Sequence, residues 1–154
     1  MRQGFVLKQY MDKAVISDEV IFADISKFLG EGKEVRLNPE GNSMLPFIRP
    51  GKDSIILAKR EDVFVGDIVF ANVEDKYVVH RVIEVNKDAV VLMGDGNLKA
   101  VEKCTKADIL GTVITIIRSG TKHKTPGKAV VWRKLKPVRR YLLALYKIKR
   151  RLGI

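Results

Sequence analysis

Short segments rich in valine and isoleucine, separated by turn residues, fill the chain from residue 34 to about residue 117. Turn chemistry recurs between them, for example at Pro50-Gly51 and Asn86-Lys87. Many short strands at this spacing predict a small, coiled antiparallel β-domain, so the predicted fold class is mainly β. The six predicted strands are 35–37, 54–58, 67–73, 77–85, 89–93 and 110–117.

Helical patterns flank this β-rich region on both sides. Ile21, Ile25 and Leu29 share one face of a predicted helix over residues 17–30, and the pattern of residues 5–16 leaves a short helix or a strand open. A second, amphipathic helix is predicted over residues 135–152. We divide the chain into an N-terminal helical segment at 1–33, a β-domain at 34–118, and a basic linker with a helical tail at 119–154.

The formal net charge of +11 is concentrated at the C-terminal end of the 154 residues. No Asp or Glu follows Asp108, whereas thirteen Lys and Arg lie from Arg118 to Arg151. That leaves 16 of the 29 basic residues against all 18 acidic residues in the first 117 positions. A nearly neutral body with a basic tail predicts a tail that meets an anionic partner.

The cysteine count and the apolar runs restrict the class of protein. Cys104 is the only cysteine, which excludes an internal disulfide framework and a multi-cysteine zinc site and favours a reducing compartment. No apolar run is long enough for a transmembrane helix, and the first residues lack the features of a signal peptide. We therefore expect a cytoplasmic or peripheral membrane protein with no metal and no cofactor.

Three short segments carry groups suited to covalent hydrolysis: GNSMLP at 41–46, YVVHRV at 77–82 and MGDGN at 93–97. Each segment alone is typical of a loop, a structural strand or a tight turn. Together they supply Ser43 as a nucleophile, His80 as a base that works near neutral pH, and Asp95 to orient the imidazole.

The order and content of these segments closely resemble the signal peptidase I superfamily of S24 and S26 serine peptidases, which includes the self-cleaving SOS-response repressors. In the matching strand His80 stands where bacterial members have a lysine, as in the archaeal and endoplasmic-reticulum branch. The whole chain looks most like the short signal-peptidase-like proteins of Bacteroides-type bacteria. The resemblance implies a serine endopeptidase that cuts an extended leader or signal segment.

The resemblance also implies roles for neighbouring residues. The backbone N–H of Ser43, aided by Asn42, would form the oxyanion hole, and Met44 and Leu45 would line a shallow substrate pocket. Two alternatives stay open at this point. Glu102 competes with Asp95 as the acid that orients His80, and the lysines Lys59 and Lys76 are rival bases.

The sequence also leaves alternatives for the partner of the C-terminal tail and for the function of the β-domain. Residues 132–152 place apolar and basic arcs side by side, which predicts either an interfacial helix on anionic lipid or a helix packed on its own domain. Nucleic-acid binding is unlikely because no recognition motif is present. A catalytically silent peptide- or membrane-binding β-domain and a cytoplasmic maturation peptidase for a small modified peptide are the rival functions.

Overall fold

The computed structural model describes residues 5–6, 18–124 and 134–153. Two helices flank one nine-stranded sheet. The helices are α1 (Asp18–Gly30) and α2 (Lys136–Arg151). The strands are β1 (Phe5–Val6), β2 (Val35–Leu37), β3 (Asp53–Ala58), β4 (Ile68–Val73), β5 (Lys76–Val85), β6 (Val90–Met93), β7 (Glu102–Cys104), β8 (Ile109–Arg118) and β9 (Thr121–Lys124).

The strands follow the order β1-β2-β3-β8-β4-β5-β6-β7, and β9 pairs with β8. All pairings are antiparallel except that of β1 with β2. Register shifts interrupt three of the ladders, at Ile56/Leu57, Phe70/Ala71 and Val82/Glu84. Such irregularities bend strands and increase twist, which fits the curled sheet. The prediction of a mainly β, coiled antiparallel domain with a helix at each end is confirmed.

Burial on both faces of the sheet explains the continuous apolar runs in the sequence. Along β4, Ile68 and Phe70 point into the main core beneath α1, whereas Val69 and Ala71 belong to a second apolar cluster. A strand with two buried faces shows no alternation of polar and apolar residues. The ring of Phe22 on α1 stacks on Tyr77 with centroids 4.3 Å apart, which fixes the helix to the sheet.

The close approach of α1 to β8 depends on a glycine. A side-chain carbon at Gly111 would lie only 2.9 Å from Leu29 Cδ1, so any larger residue would push the helix away. After Gly30 the chain reverses at Gly32, whose φ of 77° suits glycine, and runs into β2.

The structure adds three strands that the sequence pattern did not reveal. Strand β1 lies in the segment 5–16, where a helix or a strand had been left open, β9 lies in the predicted linker, and β7 follows the Gly-Asp-Gly-Asn turn. Each has two to four residues, too short for a periodicity to be recognised. The undecided segment 7–16 and Trp132 lie outside the described residues. Within the described part, no helix combines the length and the apolar character needed to cross a bilayer.

Candidate active site

The loop over residues 41–50, which carries Ser43, is anchored by its own side chains. Met44 and Ile48 are buried in the main core, and the N–H of Ile48 donates to the Met44 carbonyl in a 3.0 Å hydrogen bond. Leu45 is fully buried, and its peptide bond to Pro46 is cis. These contacts leave Ser43 half-buried at the edge of the loop.

Burial changes the role expected for Met44 and Leu45. Both had been expected to line an open substrate pocket, yet they are among the core residues of the domain. Their apolar side chains gain more from contact with the core than from exposure at the loop surface. The structure therefore places them as anchors of the 41–50 loop.

A charged cluster holds the far end of this loop. The buried Asp53 carboxylate accepts hydrogen bonds from Arg49 and Arg118, and Arg118 Nη2 also donates to the Phe47 carbonyl at 2.8 Å. Burial alone would raise the pKa of Asp53, but the hydrogen bonds from the two arginines outweigh it and lower the pKa to about 2.

The turn after β6 presses on the backbone of Ser43. The Gly96 N–H donates to the Ser43 carbonyl at 2.7 Å. A side-chain carbon at Gly94 would lie 2.4 Å from that same carbonyl, so the contact requires glycine there. Met93 pairs with Arg81, the residue that follows His80, and Gly94 begins the turn directly after it. The turn that contacts the Ser43 backbone therefore leaves the sheet one residue from the partner of Arg81.

His80 lies on β5 in an apolar setting, opposite Val69 on β4, and is buried. Its Nδ1 is 2.8 Å from Glu102 Oε2. Because an ionised carboxylate only accepts hydrogen bonds, a neutral imidazole bonded to it carries its hydrogen on Nδ1 and keeps a lone pair on Nε2. A base with its partner bonded in this way is prepared to take a proton from a hydroxyl.

The structure separates the two acids that compete for His80. Glu102 lies at the start of β7, opposite Leu92 of β6, and from there its side chain reaches the imidazole. Asp95 instead accepts two hydrogen bonds of 2.7 Å from Arg81 Nε and Nη2. Glu102, and not Asp95, makes the contact with His80 Nδ1, so the orienting role that was expected for Asp95 fits Glu102 better.

Arg81 is a site residue that sequence reasoning missed. It is only 1% exposed, donates through Nη1 to the Gly66 carbonyl at 2.8 Å, and lies over the Phe47 ring. Through Asp95 it fixes the Gly94–Asn97 turn that touches Ser43. The sequence did contain a sign of this role. Arg81 follows His80 inside an apolar strand, and a buried arginine needs an acidic partner.

Helix α2 also contacts the site. Arg150 Nη1 donates to Asn42 Oδ1 at 3.0 Å, and Arg139 Nη2 donates to the Asn97 carbonyl. Asn42 had been expected to assist the oxyanion hole. Its Oδ1 is occupied by Arg150, and its Nδ2 is the side-chain group that can donate a hydrogen bond to an oxyanion. By contrast, the rival bases Lys59 and Lys76 are both exposed to solvent.

A family model described as Peptidase S24-like matches residues 9–114, which is more than half of the chain. The chain belongs to the Peptidase S24-like family. No curated protein matches it significantly.

Membership of the Peptidase S24-like family makes the chain a serine-peptidase-like protein. The matched region contains Ser43, His80, Asp95 and Glu102. It ends before β9 and α2, so the contacts of α2 with Asn42 and Asn97 lie beyond the part that the family model describes.

Proposed function

We propose that this chain is a serine endopeptidase in which Ser43 is the nucleophile, His80 the general base and Glu102 the acid that orients His80. The observation that carries the proposal is the 2.8 Å contact between His80 Nδ1 and Glu102 Oε2, on a strand paired with β6, whose following turn contacts the Ser43 backbone. A buried base with a bonded acid, next to a serine in a fixed loop, is the arrangement that covalent hydrolysis needs.

The reaction follows from these roles. His80 Nε2 takes the proton of the Ser43 hydroxyl as Oγ attacks the peptide carbonyl carbon, and the Ser43 N–H donates to the developing oxyanion. The same imidazole then gives the proton to the leaving amine, and the acyl-enzyme remains on Oγ. A water molecule, deprotonated by His80, hydrolyses that ester and restores the free serine.

The substrate in this proposal is an extended segment, such as the leader or signal segment of a precursor. Strand addition beside the 41–50 loop would present the scissile bond to Ser43, since main-chain hydrogen bonds align an extended peptide with a sheet edge. The resemblance to signal peptidases supports small side chains before the cut. Exposed apolar residues near the site, Phe64 and Leu98 among them, are available for contact with such a chain.

The test of the nucleophile uses a peptide library read by mass spectrometry for new termini. Wild type should cut at a limited set of sites, and Ser43→Ala should lower the rate by about 1,000-fold or more because the covalent route is lost. Ser26→Ala, on α1 and away from the loop, is the matched control and should cut like wild type. If wild type cuts no peptide, the protein is a catalytically inactive peptide-binding domain. If Ser43→Ala cuts peptides as fast as wild type, Ser43 is not the nucleophile.

A second experiment tests which acid orients His80. Glu102→Gln keeps the side-chain shape but removes the carboxylate that fixes the tautomer, so kcat should fall by about 100-fold or more with little change in the unfolding midpoint. Asp95→Asn should act mainly on stability, because it breaks a buried ion pair with Arg81. Full kcat in Glu102→Gln, with a large loss in a folded Asp95→Asn, would return the role to Asp95.

A further inference from the structure

The face of helix α2 that packs on the β-domain contains two arginines. Arg139 and Leu143 are its buried residues, at 3% and 5% exposure, and Tyr146 is half-buried. At 100° per residue these three and Arg150 fall within a sector of about 60°. This inner face makes the hydrogen bonds to Asn42 and Asn97. The surface that holds α2 to the protein is therefore largely cationic.

The opposite side of α2 is apolar and faces away from the protein. It forms what we name the outer apolar face, a sector of about 120° in which six large apolar side chains are between 40% and 67% exposed, alongside one exposed cation, Lys149. The six apolar residues are Val138, Tyr141, Leu142, Leu145, Ile148 and Leu152. A helix that only stabilises its own domain turns such a face inward. A contiguous exposed apolar surface instead marks an interaction site.

Charge identifies the partner. Arg140, Lys147 and Arg151 lie side by side in the sector next to the outer apolar face, and all three are exposed. The chain has no acidic residue after Asp108 that could neutralise them within the tail. An apolar face bordered by cations matches a surface that is apolar at depth and anionic at its edge, which is the interface of an anionic bilayer.

We propose that α2 docks the protein on anionic membranes through its outer apolar face, with Arg140, Lys147 and Arg151 at the lipid headgroups. A second copy of this chain is a poorer partner. A two-fold contact through the same face would bring the basic borders of both helices together, and like charges oppose such a contact.

The docking has a consequence for the site that rests on the proposed function. Asn42 precedes Ser43, and Asn97 ends the turn that touches it, so the helix that lies on the lipid is bonded to both sides of the nucleophile loop. The distance of Ser43 from the bilayer is thereby fixed by the fold. The substrate class that this geometry suits is a leader segment emerging from the membrane surface.

Binding to vesicles tests the docking without any reference to catalysis. The intact chain should co-sediment with vesicles of phosphatidylglycerol and phosphatidylcholine but not with phosphatidylcholine alone, and binding should weaken as salt rises. The double variant Leu145→Gln/Ile148→Gln should reduce the partition coefficient by about tenfold or more, because two apolar side chains no longer enter the interface. Ala144→Gln, exposed on the same helix but outside the outer apolar face, should stay within about twofold of wild type.

Several results would overturn the docking proposal. They are an intact chain that ignores anionic vesicles at low salt, and a double variant that binds them like wild type. A third is a concentration-dependent dimer in analytical ultracentrifugation that the double variant abolishes, since a second copy would then cover the face. Ser43→Ala should bind vesicles like wild type, so that a failed peptidase and a failed membrane contact give separate results.

Discussion

The β-domain and helix α2 bury opposite kinds of side chain. In the β-domain apolar residues fill both faces of the sheet, and its buried charges are paired, Arg81 with Asp95 and Asp53 with two arginines. In α2 a cation, Arg139, is buried beside Leu143, while six other large apolar side chains are exposed. Burial lowers the pKa of the Arg139 guanidinium, and nearby Asp95 opposes that shift. The contrast teaches that a large apolar face left outside the protein core points to an apolar environment beyond the protein, such as a lipid bilayer.

The largest effect on stability is expected in the β-domain, at Asp53. Asp53→Asn removes the carboxylate that pairs with Arg49 and Arg118, and the free energy of unfolding should fall by about 3 kcal/mol near neutral pH. The folded pKa of about 2 lies below the ordinary value of 3.8, so the carboxylate contributes fully above that ordinary pKa and loses its contribution as pH falls towards 2.

Urea titrations of wild type and Asp53→Asn at neutral and acid pH check this prediction. The difference between them should shrink as the pH is lowered. Asp62→Asn, an exposed acid in the β3–β4 connection, is the control and should change stability by less than about 0.5 kcal/mol. An unchanged difference at acid pH would mean that the loss comes from packing rather than from charge.

A smaller effect is expected from two leucines of α2 that differ only in where they point. Leu143→Ala should lower the free energy of unfolding by about 2 kcal/mol, because a buried side chain leaves a cavity. Leu145→Ala, at 62% exposure, should change it by less than about 0.5 kcal/mol while weakening vesicle binding. Equal losses in urea titrations of the two variants would show that the outer apolar face is buried in solution, and the contrast between the two regions would then fail.

Much of the β-domain could be predicted because its elements are locally encoded. Helix α1 and the six strands that were predicted lie within one residue of the predicted bounds, since their apolar residues and turn residues act over a few positions. The strands that were missed are extended only because they pair with another strand. β1 forms only against β2, and β9 only against the end of β8. Pairing across the sheet, rather than propensity, makes such short segments extended.

The sequence by itself pointed to the serine-peptidase-like family, because Ser43, His80 and Asp95 stand in three recognisable segments. Tertiary structure alone decided which acid meets His80. Glu102 is 22 residues away and Asp95 only 15, yet pairing of β7 with β6 brings Glu102 to the imidazole, while Asp95 is bonded to Arg81, 14 residues away. The sequence likewise determined that α2 is amphipathic. Only the packed fold decided that the face with Arg139 and Leu143 turns inward and the broad apolar face outward, because helical periodicity specifies the faces of a helix and not which of them meets the protein.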